Sequence, residues 1–207
     1  AWVASVAALL CAGAALWLAY AERLHPNVWV RGGVRVATLG YAVPGLVLAV
    51  ALMVPLTSVD KWLATLLRDN FDVRWGLLIT GSSAALIFVY VARFLTVAFN
   101  STQAGLTQIH PQLDAAARSL GHEPGVVLRR VHLPLLRPAV ITGLLLVFID
   151  VMKELPATLI LRPFNFETLA TWVYRFASDE RLAQASTAAL AIVLMSLIPT
   201  MLLSRLR

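Results

Sequence analysis

Apolar residues in this chain come in blocks rather than scattered positions. Residues 1–21, 36–59, 138–149 and 185–204 carry no charge, and residues 75–99 carry only Arg93. Four of these blocks reach the roughly 20 residues that cross about 30 Å of hydrocarbon at ~1.5 Å per residue. The block from residue 138 is shorter and runs into Asp150. The pattern predicts an all-α fold of five membrane helices, the fourth irregular. Pro44 and Pro55 are expected to kink the second, while Trp29, Trp62, Trp75 and Trp172 fall where an interfacial aromatic belt requires them.

Between the third and fourth blocks stands a polar stretch, AAARSLGHEPGVVLRRVHLP, residues 115–134. Leu113, Ala116 or Ala117, and Leu120 recur at helical spacing, so residues 111–120 are predicted to form a short helix with a small apolar face. Pro111 suits its first turn, and Gly121 stops it by accepting a positive φ. Glu123-Pro124 restarts a helix in which Val127, Leu128 and Val131 form a second stripe beside Arg129 and Arg130. Leu133-Pro134 is expected to end it, and Arg137-Pro138 to lead into the membrane. Two uses fit such a hairpin. It can rest its stripe on lipid headgroups, or it can dock into a groove on a soluble partner.

Composition agrees with a bilayer: 59% of the 207 residues are apolar and 14% charged, against about half and a quarter in soluble domains. The net charge of +6 could suggest nucleic acid, but its distribution suggests a membrane instead. Nine basic residues (Arg23, Arg31, Arg35, Arg118, Arg129, Arg130, Arg137, Arg205, Arg207) fall on one side and six (Lys61, Arg68, Arg74, Arg162, Arg175, Arg181) on the other. The excess places segments 22–35 and 100–137 and the tail in the cytoplasm. The first block lacks a basic n-region and exceeds a signal peptide's apolar core, so it is expected to be a membrane helix in a fragment of a longer chain. The single Cys11 is expected to be a small core or lipid-facing residue.

Asp150, Lys153 and Glu154 interrupt the fourth block. Each charge costs about 2.5–3.5 kcal/mol at the centre of a membrane helix, so these three must lie near an end, face a wet pathway or pair. Spacing puts them on one helical face, where Lys153 can neutralise one carboxylate. A self-satisfied ion pair and the lining of a solute pathway both fit, whereas direct metal ligation is disfavoured by the neighbouring lysine. Pro156 is expected to end the helix, and residues 157–173 to form a re-entrant or interfacial segment on the periplasmic side. Arg93 is expected to snorkel to headgroups rather than gate. His25, His110, His122 and His132 are expected to be solvated or headgroup-facing. The chain has no Gly-x-x-x-x-Gly-Lys-Ser/Thr loop, so it is not expected to bind ATP, and no His-Glu-x-x-His, Cys-x-x-Cys or Gly-x-Ser-x-Gly suggests an enzyme.

The hairpin resembles the "EAA" loop of ABC importer permeases: Glu-Ala-Ala, three residues, Gly, nine residues, Ile-x-Leu-Pro. Ala116, Ala117, Gly121, Leu133 and Pro134 match and Val131 replaces Ile, but Ala115 stands where the family has Glu, with an acid only next door at Asp114. A shift of one residue turns a side chain by about 100°, so Asp114 cannot be assumed to substitute. The resemblance implies a MetI-like helical bundle of one domain, 1–207, whose coupling loop, 107–137, docks on an ABC ATPase dimer. It also implies ATP and Mg2+ on that partner, none held by this chain, and a second permease half, a periplasmic solute-binding protein and surrounding lipid in a bacterial inner membrane. Asp-Val-Met-Lys-Glu-Leu-Pro-Ala-Thr (150–158), with Leu-Arg-Pro-Phe (161–164), Glu-Thr-Leu-Ala-Thr (167–171), Ser-Asp-Glu-Arg (178–181) and Tyr-Ala-Val-Pro-Gly (41–45), looks like the C-terminal half of ferric-iron permeases. Ferric iron prefers oxygen ligands, which Asp150 and Glu154 offer along a candidate pathway with Lys153 and Pro156. Permeases for thiamine, phosphonate, polyamine or inorganic anions share the scaffold, and a non-transporting anchor is the remaining alternative.

Overall fold

The computed structural model describes residues 1–71, 76 and 78–205, and all regular structure among them is helical. Asp72, Arg74, Trp75 and Arg207, which enter the charge and aromatic-belt readings, lie outside the described residues. The first helix, α1 (Trp2–Leu24), has a stripe of fully buried small residues, Ala7, Cys11, Ala15 and Ala19, one helical turn apart. Small side chains let neighbouring backbones approach closely, the main source of helix association where lipid removes the hydrophobic drive.

Segment 22–35, expected as a loop, instead contains a helix, α2 (Val28–Ala37), capped by Asn27, whose side chain accepts from the Val30 N–H at 2.8 Å. Its pattern is amphipathic and most of it is exposed, with Val34 its buried residue, so it escaped a scan for long apolar runs. A 3-10 turn, Gly40–Ala42, then leads to α3 (Gly45–Phe71). Pro44 stands just before α3, its carbonyl accepting from Leu48 N–H at 3.0 Å, so it starts this helix rather than kinking it; Pro55 lies inside.

The second apolar block ends at Asp60, but α3 continues through it, because the buried Asp60 carboxylate accepts from the N–H groups of Leu78 (2.9 Å), Ile79 (2.8 Å) and Thr80. The third span, α4 (Ser83–Thr107), begins and ends about eight residues later than its apolar block. Gly81 at φ +82° and the Ser82 hydroxyl, which accepts from Ala84 N–H, set its start.

Two short helices follow, α5 (Gln112–Ser119) and α6 (Pro124–Val127). The second does not end at Pro134 as expected. It passes through a π turn, Leu128–His132, into α7 (Leu133–Met152), giving one composite span from Pro124 to Met152 that also carries Pro138. In the π turn, Leu133 N–H bonds to Leu128 carbonyl, five residues back instead of four. That widening sits immediately before Pro134, whose ring would otherwise press on the carbonyl of residue 130.

The chain finishes with α8 (Pro156–Leu161), α9 (Leu169–Ser178) and the fifth long helix, α10 (Leu182–Arg205). The core is formed where α1, α4 and α7 pack on one another. α4 and α7 approach closely at two glycines: a Cβ at Gly105 of α4 would stand 2.5 Å from the Ala139 Cβ of α7, and one at Gly143 of α7 would stand 3.1 Å from the Ala98 Cα of α4. The outer faces of α3 and α10 expose Val47, Val50, Val54, Leu194 and Ile198, as a surface meeting hydrocarbon or another membrane helix does. Trp29, Trp62 and Trp172 are likewise exposed.

Candidate functional site

The polar hairpin closes by a specific backbone device. At the end of α5, the His122 N–H bonds to Ala117 carbonyl at 3.1 Å and the Gly121 N–H to Arg118 carbonyl at 2.9 Å, with Gly121 at φ +76°. This is the paired closure of a Schellman motif, and it needs a residue free of Cβ strain at the left-handed position. Glu123 is extended and Pro124 takes the first turn of α6. The two arms flank a half-open, mainly apolar pocket of about 320 Å3, lined by Leu113, Ala117, Leu120, Val126, Val127 and Val131 together with His122 and Arg130. Leu120 at the tip is 75% exposed, an apolar side chain that the described residues leave largely uncovered. Ala115, Ala116, Gly121, Leu133 and Pro134 are exposed, Val131 is half-buried, and Ala117 is buried against the rest. The hairpin thus has an outer surface and an inner one.

Sequence reasoning missed what holds the inner surface. In the last turn of α1, Arg23 donates from Nε to Asp114 Oδ2 at 2.8 Å, with Nη2 also 2.8 Å from that oxygen. Its Nη1 donates to the Leu106 carbonyl at 2.7 Å and Nη2 to the Ile109 carbonyl at 3.0 Å, satisfying acceptors at the end of α4. One turn earlier, the Tyr20 hydroxyl donates to the Pro124 carbonyl at 2.7 Å.

His132, expected to be solvated, is instead 1% exposed, with Nε2 2.7 Å from Asp114 Oδ1 and its ring edge-on to Tyr20. That approach is close but neither ring nitrogen meets hydrogen-bond geometry, so the guanidinium carries the fastening. The cause lies in the π turn, whose one extra residue rotates the helix by about 100° and carries His132 inward. Two sequence signals pointed here: the acid at Asp114 in place of the family's Glu one residue on, and His132 set between Val131 and Leu133.

The charged cluster of the fourth span is rearranged too. α7 stops at Met152, so Asp150, Lys153 and Glu154 do not share one helical face. Lys153 pairs with Asp150 at 3.2 Å and is largely exposed. Glu154 turns inward, 7% exposed, and its Oε2 lies 3.8 Å from Arg93 Nε. Arg93 therefore does not snorkel: it reaches into the bundle, its guanidinium 5.6 Å from the Phe94 ring centre, and its buried Nε and Nη1 have no hydrogen-bond partner among the described residues. At Gly45, the first residue of α3, a Cβ would overlap Arg93 Nη1 and Glu154 Oε1, so those side-chain ends would have to move to admit one. Pro156 opens α8 instead of ending α7. Glu154 Oε1 accepts from the Ala157 N–H at 3.3 Å, and Thr158, donating to the Glu154 carbonyl at 2.5 Å, receives the Tyr90 hydroxyl. Each carboxylate has a cation, and the break is held by four elements, α3, α4, α7 and α8.

Beyond it, Glu167 joins Arg162 at 2.5 Å, Arg175 at 3.4 Å and the Thr171 hydroxyl at 2.6 Å. Partial burial pushes the Glu167 carboxyl up, but the Thr171 and Arg162 hydrogen bonds and the two arginine charges outweigh it and hold the group below its ordinary value. Among the described residues, no three His, Cys, Asp or Glu side chains gather as metal ligands.

Five long apolar helices, with a polar helical hairpin between the third and fourth, make this a multi-pass membrane protein. The chain belongs to the family of binding-protein-dependent transport system inner membrane components, whose model matches residues 11–207. It is 31% identical over 197 residues to the Fe(3+)-transport system permease protein FbpB 2 of Haemophilus influenzae, covering 95% of this chain and 35% of that protein. It is 27% identical over 161 residues to the putative 2-aminoethylphosphonate transport system permease protein PhnV of Salmonella typhimurium, covering 71% of this chain and 61% of that one. It spans about a third of the first relative's length and less than two thirds of the second's. In fold it is similar to a MetNI methionine ABC transporter chain solved in an inward-facing conformation, with a TM-score of 0.63 at 15% identity, over 99% of this chain and 91% of that chain.

Proposed function

We propose that this chain is the membrane-spanning part of an ATP-driven importer of ferric iron, working with a second permease half and a periplasmic solute-binding protein. ATP and Mg2+ sit on a partner ABC ATPase dimer. Segment 100–137 faces the cytoplasm, where Ala115, Ala116, Ala117, Gly121, Val131, Leu133 and Pro134 form the docking surface for that ATPase. The observation that carries this reading is the hairpin itself, a rigidly closed pair of short helices with an exposed apolar tip at Leu120, on a chain otherwise built for lipid. A composite helix continues from the hairpin to Met152, so a push on α6 travels along α7 to the break holding Asp150, Lys153, Glu154 and Pro156. That break is the candidate solute pathway.

The cargo assignment rests on the likeness to the Fe(3+)-transport relative and on the oxygen donors Asp150 and Glu154. A phosphonate cargo is the second reading, favoured by the PhnV likeness and by the Arg93 guanidinium, whose Nε and Nη1 make no hydrogen bond among the described residues. The test is uptake by the assembled transporter in proteoliposomes with ATP inside and the binding protein outside. Labelled ferric iron is expected to accumulate and 2-aminoethylphosphonate not to. Asp150→Asn, whose pair with Lys153 is the more exposed one, is expected to slow uptake without loss of assembly, and wild-type rates in that variant would remove Asp150 from the pathway.

A further inference from the structure

The hairpin is joined to the membrane bundle in two different ways. Its second arm, α6, is covalently continuous with α7, so any displacement reaches the fourth span through the helix itself. The first span, α1, has no such continuity: α2, α3 and α4 stand between it and the hairpin in sequence. What α1 has is side chains. Arg23 grips Asp114 of α5 through two nitrogens at 2.8 Å, and the same guanidinium holds the Leu106 and Ile109 carbonyls at the root of that arm. Tyr20, one turn earlier, holds the Pro124 carbonyl at the root of the other arm. The pair is largely shielded, the side chains of Arg23 and Asp114 being 16% and 22% exposed, and His132 from the π turn closes its remaining side.

We propose that Arg23 and Asp114 form a joint that makes α1 move with the α5 arm of the hairpin, so that a push from the partner ATPase reaches the first span as well as the fourth. This rests on the reading of the hairpin as an ATPase-docking element. The one-residue offset of the acid is part of it. An acid at 115 falls on the exposed surface of α5, whereas at 114 it faces α1. The guanidinium suits the task because its planar fork can meet a carboxylate and two carbonyls at once with little freedom to give way. Arg23 is a positioning residue, since it touches neither solute nor nucleotide.

The test follows each span separately in the complete transporter with its ATPase. An environment-sensitive fluorophore is placed on Leu10→Cys of α1 or on Ile141→Cys of α7, both exposed sites, while the native Cys11 is buried. In the otherwise unaltered complex, ATP with vanadate is expected to change the signal at both positions. With Asp114→Asn, nearly isosteric, or with Arg23→Gln, the change at position 10 is expected to fall about tenfold, the size of an ordinary coupling energy, while that at 141 persists. Persistence of both changes in both variants overturns the joint. Loss of both together in both variants also overturns it, because the pair would then be a general prop of the fold. If neither position responds in the unaltered complex, the docking reading fails, and the joint falls with it.

Discussion

At the scale of single residues, the hairpin depends on one backbone conformation. Gly121 sits at φ +76° with open space around the position a Cβ would take, so a substitution there meets strain but no clash. Gly121→Val is expected to loosen the turn by about 1–2 kcal/mol, the left-handed penalty of an L residue, and Gly121→Asn by less. Faster amide exchange over residues 118–123 in the valine variant measures it. The Arg93–Glu154 pair behaves differently, because both groups are shielded, with side chains 18% and 8% exposed. Glu154→Ala leaves a buried guanidinium uncompensated and should cost at most about 3–5 kcal/mol, less than a tight pair because the separation is 3.8 Å. Adding Arg93→Met should return most of the loss in a thermal unfolding series. Glu167 yields a pH dependence of definite sign. Its folded value is held below the ordinary 4.5, so its stabilising contribution is full above that value and is lost as pH falls through the folded one. Glu167→Gln is expected to lack that acid-side component, read as a flatter melting temperature below about pH 4.5.

At the scale of elements, the number and order of spans were legible in the sequence, whereas their ends were not. A run without charges reports where lipid is comfortable; it does not report where hydrogen bonding stops. Asp60 illustrates the difference. It ended the second apolar block, yet α3 runs eleven residues past it, because its carboxylate closes three backbone donors of the loop before α4. Asp60→Ala should strand those partly buried N–H groups, at no more than about 1–3 kcal/mol each before water replaces the carboxylate, lowering the melting temperature more than removal of the exposed Asp69. The stops and starts of the hairpin were legible at Gly121 and Pro124, since those residues act locally. The π turn was not, and with it went the inward position of His132. An extra residue per turn leaves no trace in apolar periodicity over five positions. The candidate pathway suffered likewise: Asp150 and Lys153 pair as their spacing suggested, but Glu154 lies past the helix end and answers to Arg93, some sixty residues away.

At the scale of the whole molecule, one length decides what the hairpin can meet. The composite fourth span, Pro124–Met152, has 29 residues and so measures about 43 Å at ~1.5 Å per residue, more than the roughly 30 Å of hydrocarbon. With residues up to 137 held at one face by the hairpin, the remaining 138–152 reach about 22 Å into the hydrocarbon, so the charged break lies in the leaflet far from the hairpin, whichever way the chain is inserted. The proposed orientation, with the hairpin inside, rests on the basic excess and on the coupling-loop resemblance. Two residues report the choice without disturbing packing: Leu120 at the hairpin tip is 75% exposed and Phe164, between α8 and α9, is 94% exposed. A membrane-impermeant maleimide added to intact cells is expected to label Phe164→Cys and to spare Leu120→Cys, with the pattern reversed in inside-out vesicles. Native Cys11, fully buried, should stay silent in both. The opposite pattern would set the hairpin on the outer face, where no cytoplasmic ATPase can reach it. The Schellman stop, the Arg23 joint and the continuous α6–α7 lever would then have no load to carry.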